Sequence, residues 1–562
     1  MVKKFFLLFF FILLLAFSLR VVFLDRVPTA VSNDEIDYLL NAKSVFLSGS
    51  DISHTWNPFT FTPPKSSFPQ AEIAPLMTFW LIGPLPLSLL TSKLIYVLFS
   101  TGIVGLLYLI TKKLIGENEA YLVGLVAACN PWLIFFGRSA YDTSLAIFFF
   151  LLACYLALIL KGWKIVWVFP ILFSAFYSYI GTKLLFLPFT LIIFTFAWYQ
   201  NKKYAKQYTA VFALCLILFS YYVFSVLHTP GARLNELATP QLSSITATVD
   251  TERRLSIHSP LTIVFSNKYV VFGKYALDKY MNTFSPNFLF LHGDEKAQFT
   301  LWNQGVFYYL DAFFLLVGFA VLFRKNKKVL LLLSGIVLIA PIPSVLSTVG
   351  NSYAIRSLLL APLFIIFIGV GIWYVISKYR FSWIPIAAIY TLLLLNFFNI
   401  YFLQDPLYNS ESFSFSGREL AHYLSLQKGS VYVINANPKT PYKQYMFYNN
   451  WLNKSTQDKA ANDYRAGTFS IGTSHFITCN RINTIQKGST VLYDDSCKKF
   501  SFSKGNEAIA QLGDGGTIYT IQNDKVCSKY SLSLYPHDIT FSDLSVESLS
   551  QEEFCEKFIT RF

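Results

Sequence analysis

Residues 31–42 read VSNDEIDYLLNA, placing Asp34, Glu35 and Asp37 directly after an apolar run from Phe5 to Leu24. A carboxylate at a membrane surface can take the proton of an attacking hydroxyl, or it can simply favour a helix start. The spacing separates these jobs. Ser32-x-x-Glu35 is a capping box, with Ser32 as N-cap and Glu35 at the third helical position. Ile36, Leu39, Leu40 and Phe46–Leu47 then recur at near-helical spacing, and Gly49 is the predicted stop. Neighbouring helical residues point about 100° apart, so Asp34 and Glu35 do not share one role. Capping accounts for Glu35 and leaves Asp34 as the candidate base.

Other ionisable groups fall at turns between apolar segments. NPWLIFFGRSAYDTSLA carries Arg138 and Asp142, FYSYIGTKLLFLP carries Tyr177, Tyr179 and Lys183, and STVGNSYAIRSLLLAP carries Arg356. Basic residues at helix ends commonly snorkel to headgroups. Three of them at one predicted depth, on the membrane side expected to be poor in basic residues, are harder to assign that way. With Asp34 and Asp142 they make a mixed cluster suited to a lipid phosphate held by cations, with a carboxylate beside its sugar.

Long apolar elements must position these groups. The chain has 562 residues, 54% of them hydrophobic and only 14% charged, which excludes a soluble globular protein. Its net charge of +14 would suit nucleic acid, but the basic residues cluster in short inter-span loops: Lys3–Lys4, Lys112–Lys113, Lys161/Lys164, Lys202/Lys203/Lys206, Arg324/Lys325/Lys327/Lys328 and Lys378/Arg380. That is the positive-inside pattern. Held cytoplasmic, these clusters give eleven predicted spans at 5–24, 94–111, 119–137, 143–160, 165–181, 184–200, 208–227, 305–323, 329–348, 356–376 and 384–403. Residues 75–90, broken by Gly83, Pro84 and Pro86, are read as interfacial or re-entrant. The first span lacks a small-residue cleavage site and is expected to stay on the protein.

The expected architecture is a polytopic α-helical body, 1–403, with long outer loops 25–93 and 228–304, followed by an extracytoplasmic mixed α/β domain, 404–562. The N-terminus is expected in the cytoplasm. In the tail, GRELAHYLSLQ reads as an amphipathic helix, and SVYVINA, SHFITC, STVLYD and GTIYTI read as strands. Cys479, Cys497, Cys527 and Cys555 all lie there, in an expected oxidising compartment, and sequence leaves their three possible pairings open. Cys129, Cys154 and Cys215 lie in spans as small apolar residues.

The order of features resembles the polyprenyl-phosphate-dependent glycosyltransferases of the GT-C fold, in particular the bacterial protein-mannosyltransferase and aminoarabinose-transferase-like group. Arg20, Pro28, Asp34–Glu35, Tyr38 and Ala42 match that group's first motif, and Arg138 with Asp142 matches its Pro-Trp turn followed by Arg and an acidic residue. The Tyr-x-Tyr segment ends in Lys183 where the family has Arg, losing a bidentate fork suited to phosphate. In EIAPLMTF, Ile73 stands where the family has Lys, so either another cation such as Lys65 replaces it or this chain differs in substrate. The likeness extends over residues 15–375.

The resemblance implies an inverting glycosyltransferase, hexosyl or pentosyl, at the outer face of the cytoplasmic membrane. Its donor would be a polyprenyl-phosphate sugar and its acceptor a hydroxyl on a protein, lipid or glycan. Asp34 would be the base, with Glu35 and Asp142 as supporting acids. Arg138, Lys183 and Arg356 would hold the donor phosphate, and Tyr38, Tyr177, Tyr179 and Lys65 would contact substrate. No cofactor is demanded, although a divalent metal is compatible with such carboxylates. A flippase or transporter would instead show inverted repeats and mid-membrane charges, and a membrane-anchored binding protein would show plain spans.

Overall fold

The computed structural model describes residues 2–62, 72–229, 242–301, 303–346, 354–494, 497, 507–512, 517–530, 532 and 539–561. α1 (Val2–Val21) leads into α2 (Asn33–Ser48), α3 (Ala74–Ile82) and α4 (Leu89–Leu114). α5 (Glu117–Cys129) and α6 (Pro131–Gly137) meet at a 57° bend. Pro131 lacks the N–H that would continue the ladder, and the Asn130 side chain starts α6 afresh by accepting from Leu133 N–H. α7 (Asp142–Ile159), α8 (Val168–Ser178), α9 (Thr182–Gln200) and α10 (Ala205–His228) follow. The second long loop holds α11 (Leu242–Arg254), α12 (Pro260–Phe265) and α13 (Lys268–Asn282). α14 (Tyr309–Lys325), α15 (Lys327–Ile339), α16 (Ile342–Val345), α17 (Leu360–Lys378) and α18 (Trp383–Phe398) complete the bundle.

Helices lie at all eleven predicted spans. Among the described residues, seven are long and apolar enough to cross a membrane, or eight if the bent α5–α6 pair is one span. Leu7–Val21 and Gly162–Ser178 are apolar but shorter, so these criteria do not reach the expected count of eleven. α3 has nine residues, about 13 Å of helix against the ~30 Å of a hydrocarbon core, in line with a segment that does not cross.

Close packing within the bundle depends on small residues. A Cβ on Gly318 of α14 would stand 1.9 Å from Phe367 O of α17, and one on Gly371 would stand 2.1 Å from Phe314 O. The two backbones therefore approach as only glycine allows. Lys112 pairs with Glu117, Asn326 reaches Leu114 O, and Lys325 and Lys378 both lie over Tyr374, gathering several basic loops at one end. The Asp34 turn is at the other end, where Tyr308 bonds Cys129 O and Asn130 bonds Val306 O.

After α19 (Asp405–Tyr408) and α20 (Phe415–Ser425) comes a sheet of β1 (Val431–Ile434), β2 (Phe469–Ile471), β3 (Ser474–Ile477), β4 (Thr490–Asp494), β5 (Glu507–Ala510), β6 (Thr517–Gln522) and β7 (Ile559–Arg561). Its order is β2-β3-β1-β4-β6-β5-β7, with β1 parallel to β3 and β4 and the other pairs antiparallel. Parallel neighbours need a crossover, and α21 (Lys439–Tyr448) and α22 (Gln457–Ala466) supply it between β1 and the β2–β3 hairpin. α23 (Gln551–Phe558) precedes the last strand. The pairing left open by the sequence is Cys479–Cys497 and Cys527–Cys555.

Candidate active site at the start of α2

The capping box forms as its spacing requires. Ser32 Oγ accepts from Glu35 N–H at 3.4 Å, and Glu35 Oε2 accepts from Ser32 N–H at 2.9 Å. Gly49 closes the helix at φ 76°, a left-handed conformation that a side chain would strain. Glu35 does more than cap. Its Oε1 accepts from Ala140 N–H at 2.6 Å, joining α2 to the turn that carries Arg138 and Asp142. The Tyr141 hydroxyl lies 3.1 Å from Ser32 Oγ and accepts from Gln298 Nε2 at 2.7 Å, which brings in the second long loop.

Between these ties Asp34 is exposed, whereas Glu35 and Ser32 are buried. It lies within electrostatic range of Tyr141. Asp142 is buried at the first position of α7. Further anchors steady α2 and the segment that leads into it: Lys43 of α2 donates to Gly83 O and Leu85 O, and Lys93 of α4 donates to Ala30 O.

The expected phosphate cations occupy three different settings. Arg138 is fully buried, and all of its nitrogens are engaged. Nε donates to the Tyr401 hydroxyl at 3.0 Å, Nη1 to Arg20 O and Val22 O at 3.0 and 2.7 Å, and Nη2 to Val27 O at 2.6 Å. The side chain braces the exit of α1 against the residues after α18, leaving no N–H directed away from protein oxygens. Arg20 acts similarly one step earlier, bonding Ser100 Oγ, Ala16 O, Ala127 O and Ala128 O.

Lys183 is buried against Glu72, with Nζ 3.0 Å from Oε2, and it faces the rings of Phe176, Tyr177 and Tyr222. Glu72 precedes Ile73, the position where a lysine is expected, and Ile73 N–H donates to Tyr177 O. The first long loop and the Tyr177–Lys183 turn are therefore brought together, through an acid that sequence reasoning missed. Arg356 is mostly buried, two residues after Ala354, whose N–H donates to Asp294 Oδ2 at 2.6 Å. Burial pushes the Asp294 carboxyl up to about 6, against the opposing pull of N–H bonds from Lys296 and Ala354. Tyr38, Tyr177 and Tyr179 are all buried. Lys65 lies outside the described residues.

Among the described residues, no group of three or more His, Cys, Asp or Glu converges as a metal site. Glu35, beside Asp34, has each carboxylate oxygen occupied by a backbone N–H.

No family model matches the chain, and no curated protein matches its sequence. Solved structures do match. The crystal structure of ArnT from Cupriavidus metallidurans bound to undecaprenyl phosphate superposes with a TM-score of 0.50 at 10% identity, covering 93% of this chain and 98% of that one. The fold is of the GT-C type. The archaeal oligosaccharyltransferase AglB from Archaeoglobus fulgidus, in complex with an inhibitory peptide and a dolichol-phosphate, gives a TM-score of 0.43 at 12% identity over 93% of this chain and 74% of that one. The resemblance read from Asp34–Glu35 and the later turns thus extends, as a likeness of fold to ArnT, through the C-terminal domain.

Proposed function

We propose that the chain is a glycosyltransferase that moves a sugar from a polyprenyl phosphate to an acceptor hydroxyl at the outer face of the cytoplasmic membrane. The observation that carries the proposal is the placement of Asp34: an exposed carboxylate on a helix turn whose cap is tied to two further segments, at the bundle end opposite several basic loops. The ArnT-like fold, in a structure that holds undecaprenyl phosphate, supports the donor class.

In this mechanism the acceptor O–H gives its proton to Asp34 as its oxygen attacks the anomeric carbon. The bond from that carbon to the phosphate oxygen breaks with inversion, and the lipid phosphate leaves with the electron pair. Lys183 and Arg356 stabilise the departing charge, for which fixed cations in a water-poor site are effective. Arg138 contributes by holding the α1 exit, and Glu35 by aiming the helix. Asp142, on the turn bound by Glu35, orients the acceptor. Protein, lipid and glycan hydroxyls all meet the chemistry required.

The test uses purified protein in lipid vesicles, radiolabelled polyprenyl-phosphate sugars and cell-envelope fractions. Transfer of label to acceptor with release of polyprenyl phosphate is expected. Donor that crosses the vesicle intact would instead make the protein a transporter.

A further inference from the structure

The C-terminal domain grips α2 on both sides of Asp34. Before the helix, Arg418 of α20 donates Nη1 to Thr29 O while its Nε and Nη2 pair with both oxygens of Glu547, at 2.8 and 2.5 Å. The Tyr448 hydroxyl of α21 accepts from Val31 N–H at 3.1 Å. Within the helix, Lys443 Nζ of α21 lies 2.8 Å from Asp37 Oδ2, and both side chains are largely buried. Lys439 adds a second positive charge near Asp37. The same domain holds the start of α4, where Asn450 Oδ1 accepts from Leu87 N–H at 2.9 Å, and Arg26, which bonds Ser545 Oγ and covers the Phe541 ring.

These contacts are unevenly placed. Around α2 they fall on residues 26, 29, 31 and 37, whereas Ser32 and Glu35 are held by the membrane body. Asp37 lies three residues after Asp34 and so sits on the neighbouring helical turn, where a buried ion pair restrains rotation and translation of that turn. Breaking such a pair leaves one charge buried without compensation, a costly state that the local backbone relieves by moving.

We propose that the C-terminal domain is the positioning element for Asp34, with Lys443 and Arg418 as positioning residues: their grip on Asp37 and Thr29 sets where the carboxylate meets the acceptor. The catalytic consequence rests on Asp34 being the base; the mechanical one does not. Misplacing a reacting group by about 1 Å costs on the order of 10²-fold in rate. Lys443→Met should therefore lower kcat by one to two orders of magnitude with little change in donor KM.

The test compares wild type, Lys443→Met, Tyr448→Phe and the charge-swapped pair Asp37→Lys with Lys443→Asp, as full-length protein in nanodiscs. Amide exchange over residues 31–38 and donor turnover are both read. Lys443→Met should speed exchange there by about tenfold or more, Tyr448→Phe by less, and the swap should restore both exchange and kcat. Unchanged exchange in Lys443→Met, or failure of the swap to restore it, overturns the proposal. If Lys443→Met does not fold, Tyr448→Phe still decides it, because loss of one hydroxyl should quicken exchange at Val31 and in the first turn alone. Restored exchange together with full turnover by Asp34→Asn would sustain the grip and defeat the base assignment.

Discussion

Lys183 offers the sharpest separation of a structural role from a chemical one. The sequence suggests a phosphate cation, and the structure gives it a buried carboxylate, Glu72, at 3.0 Å. At that separation two unit charges attract by about 5.5 kcal/mol with an effective dielectric near 20. Desolvation offsets much of this in the intact pair. Removing one partner exposes the offset, because the remaining charge stays buried, and such losses run to about 3–5 kcal/mol. Lys183→Met should therefore destabilise the protein by about 3–5 kcal/mol, and Lys183→Met with Glu72→Leu should regain most of it. Reversible unfolding in mixed micelles measures the stability term, and turnover of a radiolabelled polyprenyl-phosphate sugar measures the chemical one. Because Lys183 also meets the phosphate in the proposed mechanism, the double variant should fold and still transfer slowly. A loss below about 1 kcal/mol in the single variant, or a double variant no more stable than the single, would refute the reasoning.

Two further predictions concern the ends of the same site. Arg138→Gln should destabilise by several kcal/mol, since three buried oxygens and a part-buried fourth lose a charged donor; unfolding equilibria check this, and a variant that is stable but unable to turn over donor would return Arg138 to the phosphate. Asp294 lies above its ordinary value, so its favourable contribution is complete below about pH 4 and is lost as pH rises through its folded value of about 6. The rise from 3.8 to about 6 is worth roughly 3 kcal/mol. Wild type should therefore lose roughly that much stability relative to Asp294→Asn between pH 4 and pH 7, and a pH-independent difference would contradict the assignment.

What was legible in the sequence was local. The Ser32/Glu35 box and the Gly49 stop involve residues three apart or at a single backbone position, and both formed as read. The strands in SVYVINA, SHFITC, STVLYD and GTIYTI were legible because β-branched and aromatic residues cluster there. β2 and β7 have only three residues each, too few for a periodic signal, and β5, which reads EAIA, has a single β-branched residue, so all three depend on neighbours already in the sheet. The partners of the site were not legible, because they come from afar: Glu72 to Lys183 spans 111 positions, Tyr141 to Ser32 spans 109, and Lys443 to Asp37 spans 406. An arginine at a helix end looks the same in sequence whether it faces a phosphate or, like Arg138, the carbonyls of a neighbouring turn. The missing lysine at Ile73 was the one available hint that Lys183 sits in altered surroundings.

The central claim is that Asp34 is the base while Glu35 aims it. The most direct measurement is donor turnover by Asp34→Asn beside Glu35→Gln, each with folding verified by near-UV circular dichroism. Asp34→Asn should lose a factor of about 10²–10⁴ or more in transfer while retaining wild-type folding, and Glu35→Gln should lose stability yet keep measurable turnover. Normal transfer by folded Asp34→Asn would contradict it.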